Sequence, residues 1–207
     1  SRYFIVPSRL QQGKIYALPQ SPQQYQKLLM VGGFERYFQI AHALRDEDPR
    51  ADRGFEHTQI DLEMSFVEQR EVMALIENMI ISIIEQFEGK KILKKPFPVF
   101  SYKEAIEKFG ADKFDIRENK QDKNELAFAW VVDFPVFEEI KDGESPASHK
   151  ATQDTSSLAL RSSEGAKKWT YSHNPFTGLK PECVGDLING RNLGELVSWQ
   201  YDLICNG

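Results

Sequence analysis

Residues 35–67 constrain the fold more than any other stretch. They contain RYFQIAHALRDEDPRADRGFEHTQIDLEMSF, two alternating strand patterns around a charged loop. In the first pattern Phe38, Ile40, His42 and Leu44 fall on one face, and Tyr37, Gln39, Ala41, Ala43 and Arg45 on the other. In the second, Thr58, Ile60, Leu62, Met64 and Phe66 oppose His57, Gln59, Asp61, Glu63 and Ser65. Side chains of a strand alternate with period two, so each strand has one apolar and one partly polar face. Paired as a hairpin, the two strands bring Arg45, Glu47, His57, Gln59 and Asp61 onto one surface. The loop between them carries Arg45, Asp46, Glu47, Asp48, Arg50, Asp52 and Arg53 and is too long for a tight turn. Long ordered loops are more often functional than short ones. An arginine fork suits a phosphate or carboxylate, and nearby carboxylates suit a metal or a ribose. A solvated, charged hairpin tip fits the same pattern, and the pattern alone leaves both readings open.

Charge narrows the classes little. The chain has 26 basic and 31 acidic residues, a net charge of −5. That gives no global pull toward nucleic acid or an anionic membrane, although a local basic face is compatible with it. Two cysteines, Cys183 and Cys205, make no disulfide framework and fit a reducing cytoplasm. SRYFIVPSR lacks a charged region followed by a long apolar run, so no leader is expected at this end. The longest apolar-rich stretch, Val72–Ile84, is interrupted by Glu77 and Asn78, so no membrane span is expected. Both ends read as strand, which suggests a fragment. With 207 residues and 41% apolar content, one large or two small domains have ample material for a core.

Taken in order, Tyr3–Pro7 and Lys14–Leu18 predict two antiparallel strands joined by a turn at Gly13. In QSPQQYQKLLMVGG, Ser21 is placed to cap a helix, Pro22 to open it and Gly32-Gly33 to end it. Tyr25, Leu28, Leu29 and Met30 form its expected buried stripe. Such a helix N-terminus favours carboxylate or phosphate ligands, and simple capping explains the same residues. Gln69–Phe87 predicts the longest helix, with Val72, Leu75, Ile76, Met79, Ile80, Ile83, Ile84 and Phe87 as a core stripe. Phe97–Phe100 predicts a short strand. Ser101 and Glu104 make a capping box for a helix closed by Gly110. DKFDIRENKQDKN reads as a polar surface connection. LAFAWVVDFPVFEEI reads as a central buried strand, with Asp133 at a turn. Residues 141–168 change character to Ser, Thr, Ala and Lys and predict a flexible low-complexity insertion. WTYSHNPFTG predicts a strand and a polar turn carrying His173, Asn174 and Thr177. Lys180–Gly194 reads as loop and Trp199–Cys205 as a strand.

Five stretches, in order, carry a family likeness. They are VPSR at 6–9, YALPQSPQ at 16–23, RYFQIAHALRDED with GFEHTQIDLEMSF, WVVDFPVFE at 130–138, and SHNPFT at 172–177 with YDLICNG at 201–207. Together they resemble the catalytic domain of bacterial-type aspartyl-tRNA synthetases, class II aminoacyl-tRNA synthetases, over nearly all of 1–207 except the insertion. RDE is shared across related class II enzymes, whereas QSPQ, DFPVF and HNPFT are more specific. The resemblance implies an α+β fold, a mostly antiparallel sheet of the class II catalytic core flanked by helices. It implies a cytoplasmic ligase that joins aspartate to its tRNA through an aspartyl-adenylate, using ATP with Mg²⁺. The acceptor is tRNA(Asp), with tRNA(Asn) left open, and the full-length protein is expected to be a homodimer. By resemblance Arg45 grips the α-phosphate, with Asp46 beside it in the signature, Glu47 lies near adenine and the tRNA end, and His57 stacks on adenine. Ser21, Gln23, Gln59, Asp61 and His173 line the aspartate pocket, with Asp61 holding the substrate ammonium.

The likeness has departures. The family usually carries a lysine where Gln26 stands, and that lysine helps recognise the substrate carboxylate. A glutamine lacks this charge-assisted contact, worth about 1.5–3 kcal/mol. Lys27, the next residue, points about 100° away around the helix. His57 stands for a usual Phe, Gly54 for a frequent Gln and Asn174 for a frequent second His. The resemblance also leaves out an anticodon-binding domain, motif 1, the domain usually inserted between 118 and 125, and motif 3. The 207 residues alone are therefore expected to be an inactive piece of a catalytic domain. Two other readings stay open: a catalytically impaired paralogue acting as a binding or regulatory protein, and a relaxed aspartate/asparagine relative.

Overall fold

The computed structural model describes residues 3–46, 54–140, 160–161, 168–172 and 177–207. Glu47 and His173 lie outside the described residues, as does the expected insertion apart from 160–161 and 168. The chain divides into two compact units, Ser1–Val72 and Met73–Gly207. Helices mix with small, mostly antiparallel sheets, the α+β class the sequence predicts.

In the first unit, β1 (Ile5–Pro7) and β2 (Ile15–Ala17) pair antiparallel, with Val6 opposite Tyr16. Gly13, at φ 76°, makes the turn between them. α1 spans Gln23–Val31. Pro22 lies in the cap position rather than inside the helix, and no side chain caps it. The Gln23 N–H reaches Ser21 Oγ only at 3.5 Å, so the expected serine cap is marginal. Gly32 donates to the Leu28 carbonyl at 2.8 Å, and Gly33 follows at φ 96°, ending the helix as expected.

β3 (Arg36–Leu44) and β4 (Glu56–Met64) form the predicted hairpin, antiparallel along their whole lengths. Ala41 faces Gln59, Ala43 faces His57, and Gln39 faces Asp61. The burial of its faces is the reverse of a simple hydrophobic pattern. Phe38 and Ile40 are 68% and 71% exposed, whereas Ala41 and Ala43 are buried. α1 packs on both strands. The small alanines let a helix approach the partly polar face, and the bulkier apolar face is left outward. This corrects half of the expected stripe of α1: Tyr25 and Leu28 are exposed and Gln26 is buried, whereas Leu29 and Met30 are half-buried.

α2 (Gln69–Ile84) starts as expected but stops short of Phe87, with Gly89 at φ 80° beyond it. From Met73 onward it belongs to the second unit. Met73 is buried with Phe97, Phe128 and Trp130, and Ile76, Ile80, Ile81 and Ile84 pack against them. Leu75, Ile83 and Phe87 are exposed, so the buried stripe is narrower than the periodicity suggested. β5 (Lys91–Ile92) runs parallel to β7 (Glu125–Leu126). β6 (Val99–Ser101) leads into α3 (Tyr102–Phe109). The Ser101–Glu104 capping box is formed, and Gly110 closes the helix in the left-handed conformation. β8 (Phe128–Val132) is central, flanked by parallel β6 and by antiparallel β12 (Tyr201–Cys205). β8 ends at the turn expected at Asp133, φ 60°, and the rest of the apolar run forms a separate strand, β9 (Phe137–Ile140). β9 pairs with β11 (Lys168–Tyr171), which pairs with β10 (Leu160–Arg161). Lys180–Gly194 is not plain loop: it holds a 3-10 turn, α4 (Val184–Asn189) and part of a second 3-10 turn.

The polar connection after α3 is not simply solvated. Asp115 and Arg117 side chains are only 11% and 9% exposed and form an ion pair at 2.7 Å. Arg117 also donates to the Asp122 carbonyl at 2.7 Å, which ties the two sides of the connection together. Its arginine fork makes a local knot that sequence composition does not reveal.

Candidate functional site

The site is built on the polar face of the β3–β4 hairpin. At its loop end the ladder runs one step past the strands: the Arg45 N–H donates to the Phe55 carbonyl at 2.8 Å. Beside it, the Leu44 N–H donates to the Pro19 carbonyl at 2.8 Å. Arg45 Nε donates to the Gln20 carbonyl at 3.2 Å. Residues 19–20 are thus lashed to the end of β3, and α1 starts next to Arg45. Arg45 and Asp46 are both half-buried. Among the described residues, the terminal nitrogens of the Arg45 guanidinium carry no hydrogen bond, and that edge suits an oxyanion.

Further along the same face, Gln59 Nε2 donates to Asp61 Oδ2 at 2.7 Å. Asp61 faces Gln39 across the ladder, and Gln39 Oε1 accepts from the Tyr37 hydroxyl at 2.6 Å. His57, half-buried, lies opposite Ala43. Gln59 and Asp61 hold each other, as do Tyr37 and Gln39, which fixes these side chains' directions before any ligand arrives. A carboxylate held by an amide suits an ammonium group, and an arginine at the other end suits a phosphate.

The structure therefore brings Arg45, His57, Gln59 and Asp61 onto one face, as the alternation predicts. Ser21 and Gln23 stand at the start of α1, close in sequence to the Gln20–Arg45 contact. Glu47 and His173 are outside the described residues, so their expected places carry no geometry. Tyr37 and Gln39 share the face by their parity with Arg45, as the alternation predicts, but neither was among the expected site residues. Gln26, on the next turn of α1 from Gln23, is 3% exposed and its Nε2 has no hydrogen-bond partner. Among the described residues no three His, Cys, Asp or Glu side chains converge to hold a metal ion. No described helix is long and apolar enough to cross a membrane.

The hairpin thus carries an arginine at the opening of its charged loop and an amide-held carboxylate further along the same face. The family profile for class II tRNA synthetases (D, K and N) matches residues 1–207, so the chain belongs to that family. It is 54% identical over 137 residues to the aspartate–tRNA(Asp/Asn) ligase of Rubrobacter xylanophilus, covering 66% of this chain and 23% of that protein. It is 42% identical over 173 residues to the corresponding ligase of Pelagibacter ubique, covering 82% of this chain and 29% of that one. The chain thus spans less than a third of the length of either relative. Superposed on the aspartyl tRNA synthetase from Entamoeba histolytica it has a TM-score of 0.44 at 24% identity, covering 56% of this chain and 30% of that one.

Proposed function

We propose that this chain supplies the amino-acid activation site of an aspartate–tRNA ligase. Aspartate and ATP react to give aspartyl-adenylate and pyrophosphate, and the aspartyl group then passes to the terminal ribose of tRNA(Asp), with tRNA(Asn) as a second acceptor. The observation that carries this is Arg45, fixed at the loop end of the hairpin by the Gln20 carbonyl, on the face that also holds the Gln59–Asp61 pair. The names of the relatives support both acceptors.

Attack of the aspartate carboxylate on the α-phosphate gathers negative charge there. Positioning and charge neutralisation are most of what such a transfer needs from a protein. Arg45 supplies both through its outer guanidinium edge. Asp61, oriented by Gln59, holds the substrate ammonium, and Ser21 and Gln23 face the amino acid from the start of α1. His57 stacks on adenine, with Asp46 and Glu47 beside the nucleotide and His173 in the aspartate pocket. The described residues offer no cluster of carboxylates or imidazoles for Mg²⁺. The full-length protein acts as a homodimer in a reducing cytoplasm, which the free thiols of Cys183 and Cys205 suit.

Aspartate-dependent exchange of pyrophosphate into ATP by the full-length protein tests the reading. Exchange that depends on aspartate and disappears in Arg45→Ala is the expected result. Absence of exchange in the unaltered protein would favour the impaired-paralogue reading instead.

A further inference from the structure

In the second unit, the turn that ends β8 and the stretch before β12 are joined into one strut. The Phe134 carbonyl accepts from the Ser198 N–H at 2.9 Å and from the buried Ser198 hydroxyl at 3.0 Å. The Val136 N–H donates to the Leu196 carbonyl at 2.9 Å. Both ends of the 172–178 segment are fastened to this strut. At one end the Ser172 N–H donates to the Val136 carbonyl at 3.0 Å, and the Ser172 hydroxyl donates to the Pro135 carbonyl. At the other end the Gly178 carbonyl accepts from the Trp199 N–H at 2.9 Å, and the Lys180 N–H donates to the Val197 carbonyl at 3.1 Å. His173 belongs to the segment so fastened.

Lys180 adds a charged tie at the second end. Its ammonium pairs with the Asp133 carboxylate, and the two side chains are only 16% and 30% exposed. The same ammonium lies 5.1 Å from the centre of the Trp199 ring. Asp133 sits at φ 60°, where a glycine fits without steric cost and a side chain is strained. What an aspartate brings to such a turn is its carboxylate, and that carboxylate goes to Lys180. Apolar packing on Trp199 would hold the chain without taking an ammonium out of water. A charged pair instead fixes one arrangement, because either partner is costly to leave unmet. We propose that Lys180 is a positioning residue: by holding Asp133 it fixes the segment from which His173 contributes to aspartate binding. This rests on the activation reaction and the role of His173 proposed above.

The test is aspartate-dependent pyrophosphate exchange by the full-length protein, unaltered and with Lys180→Met, Lys180→Arg or Asp133→Gly. Lys180→Met keeps an apolar stem over Trp199 and removes the ammonium. Asp133→Gly removes the carboxylate and relieves the turn, so its thermal midpoint should change little. Both should raise KM for aspartate about tenfold and leave KM for ATP within about twofold, since a small displacement of one binding group is enough for such a loss. Lys180→Arg keeps the charge and should keep most of the affinity for aspartate. In a His173→Ala background neither Lys180→Met nor Asp133→Gly should raise that KM further, because the pair acts through His173. An unchanged KM for aspartate in folded variants, equal changes in the two constants, or full additivity with His173→Ala would overturn the assignment. Absence of exchange in the unaltered protein would instead overturn the activation reading on which it rests.

Discussion

Arg45 Nε donates to the backbone carbonyl of Gln20 at 3.2 Å. One side chain thereby joins the end of β3 to the segment that starts α1, within a single unit of the chain. Because the carbonyl occupies Nε, the guanidinium plane is set and its outer edge is directed elsewhere. That is the difference between an arginine that samples solvent and one organised for an anion.

Arg45→Lys keeps the charge and loses the fork. A lysine ammonium cannot hold Gln20 and present two further donors in one plane. The expected outcome in the full-length protein is a fall in aspartate-dependent exchange of about 10²–10³-fold, the range for removing one organised transition-state donor. Pre-steady-state measurement of adenylate formation checks it. A fall in KM for ATP with turnover unchanged would count against the assigned role.

Asp61→Asn tests the other end of the face. The substitution is isosteric and leaves Gln59 a carbonyl oxygen to donate to, so the hairpin should stay folded. The charge that would meet a substrate ammonium is gone. Loss of a hydrogen bond between charged groups is worth about 1.5–3 kcal/mol, or roughly 10–100-fold in KM for the amino acid. KM for ATP should move little, and comparing the two constants in steady-state exchange separates this effect from general damage.

How much of this could be read from the sequence follows from what each residue depends on. The hairpin was legible because period-two alternation is local, and the same alternation puts Gln59 and Asp61 on the face of Arg45 and His57. The Ser101–Glu104 box and Gly110 were legible for the same reason. The buried face of the hairpin was not, because hydrophobicity pointed to Phe38 and Ile40, while the size of Ala41 and Ala43 decided which face a helix could approach. Gln26 shared that fate: its burial is set by α1's neighbours, not by α1's own composition. The turn at Asp133 was legible, but the start of a separate strand beyond it was hidden inside an apolar run whose residues suit a strand on either side. Arg117 looked like one charge among many, since its partners Asp115 and the Asp122 carbonyl are chosen by the path of the chain.

Asp115 makes that connection sensitive to acid. Its carboxylate accepts from Arg117 Nη2 at 2.7 Å, from Nε at 3.0 Å and from the Arg117 N–H at 3.0 Å. These bonds, the arginine side chain first, hold its pKa below the usual carboxylate range. A depressed native pKa means stability that is present above the unfolded value, about 4, and is lost as pH falls through the native one. Asp115→Asn should therefore lower the thermal midpoint at neutral pH. The gap from the unaltered protein should close progressively below about pH 4. Thermal melts across that range check the sign; a gap that widens with acid would contradict it.

Glu77 offers a test of the second unit that is independent of any ligand. It projects from α2 and serves two donors at once, the Phe97 N–H at 3.0 Å and the Trp130 indole N–H at 3.1 Å. Both donors belong to residues almost wholly buried in one cluster. Glu77→Leu should strand both and cost about 2–4 kcal/mol, since each unmet buried group is worth about 1–3. Glu77→Gln keeps one acceptor oxygen and should cost less. Adding Trp130→Phe to Glu77→Leu removes one stranded donor together with its acceptor. If hydrogen bonding is the cause, the double variant should recover part of the loss despite the smaller ring, so the two changes are non-additive. Urea unfolding of the unaltered protein, Glu77→Leu, Trp130→Phe, the double variant and Glu77→Gln measures this. Strict additivity would mean that Glu77 acts through packing of its methylene groups rather than through its carboxylate.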